Sequence, residues 1–274
     1  MKYIQIKGAT IPALGLGTFQ LAGDTAQKIV AHALATGYRH IDTAQMYQNE
    51  AAVGNAIKES GVARSEVFLT TKVLPTNLSK EKFMPSVEES LQKLRTDYVD
   101  LLLIHWPNAE VPVEEYMAEL VKAQEKGYAR YIGVSNHPTA LLDKVLATGA
   151  EIITNQVEYH PFLNQDKLYT YLRQHNLTLT AYSPIAQGKV LGNETLKSIG
   201  SKYGKNEVQV TLRWLMQQDG VLAIPRSAKE KNVEANFNIF DFELTPQEVE
   251  QINQLKQANT RLISPSFAPA WDTV

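Results

Sequence analysis

The sequence predicts an α/β protein that folds as a single closed (β/α)8 barrel, and three observations support this fold class. Short apolar segments alternate with amphipathic helical segments along nearly the whole chain. Eight such strand–helix units can be counted, and no linker rich in Pro, Gly or Ser separates them. The length of 274 residues suits a barrel of about 250 residues. We therefore assign residues 1–274 to one barrel domain, with an open doubly wound sheet or two smaller domains as the alternatives.

The elements are expected in a regular order. Residues 3–12 alternate between apolar and polar types and turn at Lys7-Gly8, which predicts a β-hairpin able to close the bottom of the barrel. A C-terminal helix is expected from Pro246 to about Lys256, followed by an irregular tail rich in proline. Barrel strands are expected near residues 14, 39, 67, 99, 131, 152, 178 and 221. Barrel helices are expected at 24–36, 49–60, 80–95, 113–126, 139–147, 164–175, 193–202 and 207–218.

Composition excludes several classes of partner. Lys and Arg number 27 against 29 Asp and Glu, so no overall positive charge attracts nucleic acid or an anionic membrane. Cysteine is absent, which excludes disulfides, thiolate nucleophiles and cysteine-ligated metals. The N-terminus lacks the apolar core of a signal peptide, and no segment approaches the roughly 18 apolar residues of a membrane span. We expect a cytoplasmic monomer that binds a small molecule and no metal.

Polar residues stand at the end of every predicted strand. Because parallel strands of a barrel end at one face, where this architecture places its chemistry, these side chains are expected to share one site. They are Thr18, Asp42, Lys72, His105, Ser135 with Asn136, Asn155 with Gln156, Tyr182 with Ser183, and Arg226 with Ser227.

Four of these neighbouring side chains suggest carbonyl reduction. Lys72 ends an apolar strand, where a cation requires an anion, and Asp42 is the candidate. The Lys72 ammonium is expected to lower the pKa of the Tyr47 hydroxyl from near 10 toward neutrality, which would make Tyr47 a proton donor. His105 would hydrogen-bond the carbonyl oxygen of the substrate. Since no side chain supplies a hydride for the carbon, a nicotinamide cofactor is implied.

The remaining strand-end residues suit that cofactor. The amide and hydroxyl groups of Ser135, Asn136 and Gln156 match a carboxamide, and the aromatic face of Tyr182 matches a nicotinamide ring. The cationic and hydroxyl donors of Arg226, Ser227 and Lys229 match a 2′-phosphate. Gly15 and Gly17 begin a dinucleotide-binding pattern, but Gln20 stands where that pattern needs its third Gly or Ala.

The motifs taken together resemble those of the aldo-keto reductases along essentially the whole chain. They are Gly15-Leu16-Gly17-Thr18, Gly37 through Glu50, Thr71-Lys72, Asp97 through Pro107, Ile132 through Asn136, Asn155 through Glu158, Ala181 through Pro184 and Ile224 through Ser227. The resemblance implies a (β/α)8 barrel, NADPH-dependent reduction of aldehydes and ketones, and a catalytic tetrad of Asp42, Tyr47, Lys72 and His105.

The resemblance also implies further site residues. Cofactor contacts would fall on Gly17, Thr18, Asp42, Ser183, Pro184, Ile185 and Asn236 besides those above. The substrate pocket would be lined by Phe19, Tyr47, His105, Trp106 and the tail around Trp271. Within the family, the longer segments that match make the chain most similar to the bacterial 2,5-diketo-D-gluconate reductase B group, which also reduces methylglyoxal.

Three residues depart from the common family pattern at the cofactor end. Arg226 stands where the pattern has Lys, Asn232 where it has Arg, and Ala235 where it has an acid. The 2′-phosphate is therefore expected to depend on Arg226, Ser227, Lys229 or Lys231.

Two other functions remain open from the sequence. A barrel aldolase could use Lys72 in a Schiff base, which borohydride trapping of substrate would reveal. A barrel that binds nucleotide without catalysis would leave reduced nicotinamide unconsumed when NADPH and methylglyoxal are mixed with the protein.

Overall fold

The computed structural model describes residues 1–273 and confirms the predicted barrel. Eight parallel strands follow one another in sequence order around one sheet, and a separate antiparallel hairpin precedes them. The ten strands are β1 Tyr3–Ile6, β2 Ala9–Pro12, β3 Leu16–Gly17, β4 His40–Asp42, β5 Phe68–Val73, β6 Val99–Ile104, β7 Ala129–Ser135, β8 Ile152–Glu158, β9 Thr178–Tyr182 and β10 Val221–Ala223. Among residues 1–273, no helix combines the length and apolarity needed to cross a bilayer.

The sheet closes between its first and last strands. Leu14, just before β3, bridges Ala223 of β10, and the amide of Gly15 donates to the Ala223 carbonyl at 2.8 Å. Gly17 lies so close to the last strand that a Cβ there would approach the Ile224 carbonyl oxygen to 2.7 Å. Gly17 therefore allows the first and last strands to pack closely where the barrel closes.

The hairpin closes the end of the barrel opposite the predicted site. The Lys7 ammonium donates to the carbonyl of Ile152, the first residue of β8, at 2.9 Å, and the Tyr131 hydroxyl of β7 donates to the Gly8 carbonyl at 2.9 Å. Strands β5, β6 and β8 are buried along their whole length. The apolar runs that predicted these strands are thus covered on both faces, as a parallel sheet requires.

Helices surround the sheet, and most lie where the sequence predicts them. They are α1 Gly23–Thr36, α2 Glu50–Glu59, α3 Lys80–Leu94, α4 Val113–Glu125, α5 Thr139–Ala147, α6 Asp166–Gln174, α7 Glu194–Tyr203, α8 Glu207–Gln217, α9 Glu230–Phe237 and α10 Pro246–Asn253. A 3₁₀ turn, Gln254–Ala258, extends α10 to about the predicted end.

Helix α9 was not predicted. Its eight residues are too few for a stable isolated helix, so packing must supply its stability. The Tyr38 hydroxyl donates to the Val233 carbonyl at 3.1 Å, and the rings of Tyr38 and Phe237 lie 4.8 Å apart. These contacts come from Tyr38, just after α1 and almost 200 residues away in the chain, and leave no local signal in the sequence.

Candidate active site

The register of the strands brings the tetrad to one end of the barrel. Asp42 of β4 lies opposite Thr70 of β5, and Lys72 follows Thr70 by two residues, on the same face of the strand. Leu103 of β6 lies opposite Lys72, and His105 follows Leu103 by two residues. Alternation therefore directs three strand-end side chains of the tetrad toward the interior of one mouth.

An ion pair forms the centre of the site. The Nζ atom of Lys72 lies 2.5 Å from Oδ1 of Asp42, and donates to the Thr43 carbonyl at 2.9 Å and to the Tyr47 hydroxyl at 3.2 Å. Both charged side chains are almost fully buried, at 0% and 1% exposure. The second Asp42 oxygen, Oδ2, accepts a hydrogen bond from Nε2 of Gln156 at 2.7 Å. The pair is therefore held by bonds to every charged atom, as a buried ion pair requires.

Tyr47 and His105 face each other beside this pair. Their ring centroids lie 5.5 Å apart in an edge-to-face arrangement, and the Phe19 ring lies 5.1 Å from Tyr47 on another side. His105 is buried, whereas Tyr47 keeps part of its surface exposed. Of the four tetrad residues, Tyr47 has the largest exposed fraction.

The pKa of Tyr47 contradicts the expectation from the sequence. Burial, and to a smaller extent the Asp42 carboxylate, raise the pKa of this hydroxyl well above its ordinary value instead of lowering it. The Lys72 ammonium does not lower this pKa as expected, because Asp42 compensates its charge at 2.5 Å. At neutral pH the phenol therefore keeps its proton.

Burial also changes the other two bases. It lowers the pKa of His105 well below the ordinary value, and the nearby Lys72 charge lowers it further. It lowers the pKa of Lys72 as well, an effect that the Asp42 carboxylate opposes. The imidazole is therefore neutral at physiological pH and offers a hydrogen bond without a charge.

Gln45 positions the turn that carries Tyr47, and sequence reasoning missed this role. Tyr47 ends the 3₁₀ turn Gln45–Tyr47. The Gln45 amide nitrogen donates to the Ser86 carbonyl at 3.0 Å and to the Ser90 hydroxyl at 3.2 Å, both on α3. Its amide oxygen accepts from the Leu74 amide at 2.8 Å. A glutamine two residues before a tyrosine carries no sequence signal of such distant hydrogen bonds.

The residues predicted for the carboxamide and the ring form one network next to the tetrad. The Ser135 hydroxyl donates to the Gln156 carbonyl at 2.7 Å, and the Asn136 amide nitrogen donates to the His105 carbonyl at 3.0 Å. The Tyr182 hydroxyl donates to Oδ1 of Asn136 at 2.8 Å. Asn136 adopts a left-handed backbone, with φ of 62°, which asparagine tolerates better than most residues.

The loop after β9 continues this edge of the mouth. Ser183, like Asn136, has a positive φ of 47°, Pro184 is buried, and Ile185 packs partly against the core.

The residues predicted for the 2′-phosphate, and the further predicted cofactor contact Asn236, lie apart, after β10 and on α9. Arg226 is exposed and donates through Nε to the Phe19 carbonyl at 3.0 Å and through Nη2 to the Gln20 carbonyl at 3.1 Å. The Ser227 hydroxyl accepts from the Lys229 amide at 3.1 Å, and Asn236 of α9 is buried. Within residues 1–273, no hydrogen bond joins this group to the tetrad.

Thr18 links the first strand to the tetrad strand. Its hydroxyl donates to the Asp42 carbonyl at 2.9 Å, and its own carbonyl accepts from Nδ2 of the Asn49 side chain at 2.8 Å. These bonds connect the loop after β3 to the loop that leads from Asp42 into α2.

Aromatic residues of the tail pack against Trp106, the residue after His105. The Trp106 ring lies 5.6 Å from the exposed Phe267 and 6.0 Å from Trp271. The tail is attached through Glu158, at the end of β8, whose two carboxylate oxygens accept from the amides of Leu262 at 2.7 Å and Ile263 at 2.8 Å. Glu158 is fully buried and was a second residue that sequence reasoning missed.

Comparison with known proteins identifies the family to which this chain is similar. The model of the aldo/keto reductase family matches residues 13–257. The methylglyoxal reductase DkgB of Escherichia coli O157:H7 is 48% identical over 267 residues, which cover 96% of this chain and 99% of the relative. A crystal structure of a candidate 2,5-diketo-D-gluconic acid reductase B shares 45% identity and a TM-score of 0.98 over 100% of this chain and 98% of its own.

A more distant solved structure contains a bound nucleotide. The aldo-keto reductase of Bombyx mori in complex with NADP is 33% identical, with a TM-score of 0.90 over 97% of this chain and 95% of its own. The family model covers most of the chain, and the Escherichia coli relative matches it nearly end to end. The chain therefore belongs to the aldo-keto reductase family.

Proposed function

We propose that this protein is an NADPH-dependent carbonyl reductase acting on small aldehydes and ketones, including dicarbonyls such as methylglyoxal or 2,5-diketo-D-gluconate. The observation that carries the proposal is the Tyr47 hydroxyl, 3.2 Å from the Lys72 ammonium, which is itself paired with Asp42. The similarity to a methylglyoxal reductase and to a candidate 2,5-diketo-D-gluconic acid reductase supports the substrate class.

The chemistry assigned to the chain is proton transfer. Tyr47 gives its proton to the carbonyl oxygen, and His105 hydrogen-bonds the same oxygen and fixes its position. The phenolate that remains forms next to the Lys72 ammonium, whose attraction grows as the negative charge develops, so the ammonium stabilises the transition state more than the ground state. Water from the open side of the mouth then reprotonates Tyr47.

The cofactor supplies the hydride for the carbonyl carbon, and the residues present fit such a group. Ser135, Asn136 and Gln156 carry the hydroxyl and amide groups that a carboxamide requires, and Tyr182 lies beside them. Arg226 uses two of its five N–H donors on backbone carbonyls and keeps three for a 2′-phosphate.

The geometry argues against the aldolase. Lys72 is fully buried, and its three partners are a carboxylate, a carbonyl and a phenol. A Schiff-base lysine must present a free, neutral amine to its substrate, whereas this amine is saturated with hydrogen-bond acceptors.

Replacing Tyr47 by Phe tests the proposal. We expect kcat for methylglyoxal to fall by about 10²–10⁴-fold because the general acid is lost, while the Kd for NADPH changes less than about twofold. NADPH absorbance measures turnover, and fluorescence titration of NADPH measures binding. Near-native turnover in the variant would refute the proton-donor role, and no NADPH consumption by the wild type would favour the non-catalytic barrel.

Replacing Arg226 by Ala tests the cofactor preference. Loss of charge-assisted hydrogen bonds should raise the KM for NADPH by about 10–100-fold and leave the KM for NADH within about threefold. Arg226→Lys, which keeps the charge, should show an intermediate KM. Equal effects on both cofactors would refute the assignment to the 2′-phosphate.

A further inference from the structure

Arg261, just before the tail residues bound to Glu158, carries a cation that no carboxylate among residues 1–273 pairs with directly. The guanidinium is partly buried, and residues 1–273 offer its buried Nη1 atom no hydrogen-bond partner. Burial lowers its pKa, which reflects the cost of removing a cation from water. A buried charge without a partner is rarely kept for stability alone, so this guanidinium requires an explanation.

The two acids whose charges act on Arg261 are engaged elsewhere. Glu158 accepts from the amides of Leu262 and Ile263 and lies 2.8 Å from the His160 ring. Asp272 accepts from the amide and the hydroxyl of Thr139. Both carboxylates thus attach the tail to the barrel, and neither accepts a hydrogen bond from the guanidinium.

The guanidinium is held in a fixed plane at the edge of the mouth. It lies 3.9 Å over the ring of Trp271, and the Trp271 ring lies 6.0 Å from Trp106, which follows His105 in the chain. Stacking on an aromatic face fixes the plane of a guanidinium and leaves its N–H edges free for a ligand. The next residue, Leu262, donates its amide to Glu158 at the end of β8, which places Arg261 at the same end of the barrel as the tetrad.

We propose that Arg261 is the carboxylate-binding residue of the substrate site, and that this enzyme selects carbonyl substrates that carry a carboxylate at their far end. The inference rests on the proposed carbonyl reductase and adds a substrate class to it. A planar guanidinium with free N–H edges pairs with a carboxylate through two parallel hydrogen bonds. The aromatic rings of Trp106 and Trp271 would contact the carbon chain between the two ends of the substrate.

A matched pair of substrates tests this assignment through activity. Succinic semialdehyde and butanal differ in the terminal carboxylate, and Arg261→Gln removes the charge but keeps a polar side chain. We expect the variant to lower kcat/KM about 10–100-fold for succinic semialdehyde and less than about threefold for butanal. Arg261→Lys should restore part of the preference. An equal loss for both substrates would show that Arg261 only supports the tail, and no loss would also refute the proposal.

A binding measurement tests it without turnover. Because Arg261 stacks on Trp271, butanoate binding should change tryptophan fluorescence in the wild-type protein and saturate, whereas butanamide should not. Arg261→Gln should abolish the butanoate response. Failure of the wild type to bind butanoate would refute the proposal even if butanal is reduced; failure to reduce butanal would refute the carbonyl reductase alone. A parallel rise in the Kd for NADPH in Arg261→Gln would assign the residue to the cofactor instead.

Discussion

At the scale of single residues, the electrostatic cost of this site lies mainly in burying the charges of Lys72 and Asp42. Each charge alone is unfavourable in the interior, and each is tolerated because the other lies 2.5 Å away. The same compensation keeps the proton on Tyr47, whereas the ammonium by itself would lower the pKa of the hydroxyl. The reactivity of the phenol thus depends on the balance of two charges and on burial.

Removing one charge of the pair should therefore cost more stability than removing both. We expect Lys72→Met to lower the free energy of unfolding by about 3–5 kcal/mol, because the Asp42 charge stays buried with Gln156 as its main partner. The double variant Lys72→Met/Asp42→Asn should recover part of this loss. Urea denaturation of the two single variants and the double variant measures the coupling. Simple additivity of the two single losses would contradict it.

At the scale of elements, the tail is attached to the barrel by a small number of carboxylate contacts. Glu158 binds two tail amides at one end, and Asp272 binds Thr139, the first residue of α5, at the other. Among residues 259–273 the structure shows no helix or strand, so side chains replace regular hydrogen bonding in fixing the tail.

Glu158→Gln should loosen the tail at its first attachment. The amide keeps one acceptor oxygen where two are used, so we expect hydrogen exchange at Leu262 and Ile263 to accelerate by about tenfold or more. Asp272→Asn is the matched control, which should leave the exchange of these two amides within about threefold of the wild type. Exchange measured by mass spectrometry or NMR decides the point. Unchanged protection in Glu158→Gln would mean that packing alone holds the tail.

At the scale of the whole molecule, buried histidines couple stability to pH. His137 is fully buried between the Tyr116 hydroxyl at 3.0 Å and the Ser135 carbonyl at 2.9 Å, and burial lowers its pKa to about 4. The unfolded chain takes up a proton on this ring near pH 6.5, whereas the folded protein does not until about pH 4. The contribution of this ring is therefore complete above pH 6.5 and is lost as the pH falls.

Between pH 6.5 and pH 5 we expect His137 alone to remove about 1.5 kcal/mol from the free energy of unfolding. Burial lowers the pKa of His40 and of His105 too, so these residues act in the same direction. Urea denaturation at several pH values measures the slope, and His137→Gln should flatten it. A protein that gains stability over this interval on acidification would contradict the argument.

The sequence by itself determined the barrel and the residues of its mouth. Alternating strand and helix patterns are local, and parallel strands must deliver their final side chains to one edge, so Asp42, Lys72 and His105 could be placed together without coordinates. The hairpin and most helices were predictable for the same reason, because each is encoded by the periodicity of its own segment.

Only the tertiary structure decided the remaining features, since they depend on burial and on contacts between distant segments. Helix α9 is stabilised by Tyr38, just after α1, and Gln45 is fixed by hydrogen bonds to α3. The direction of the Tyr47 pKa follows from how deeply the hydroxyl lies and from which charge compensates Lys72. The free guanidinium of Arg261 is visible only once the folded tail places it on Trp271 and engages both neighbouring acids elsewhere.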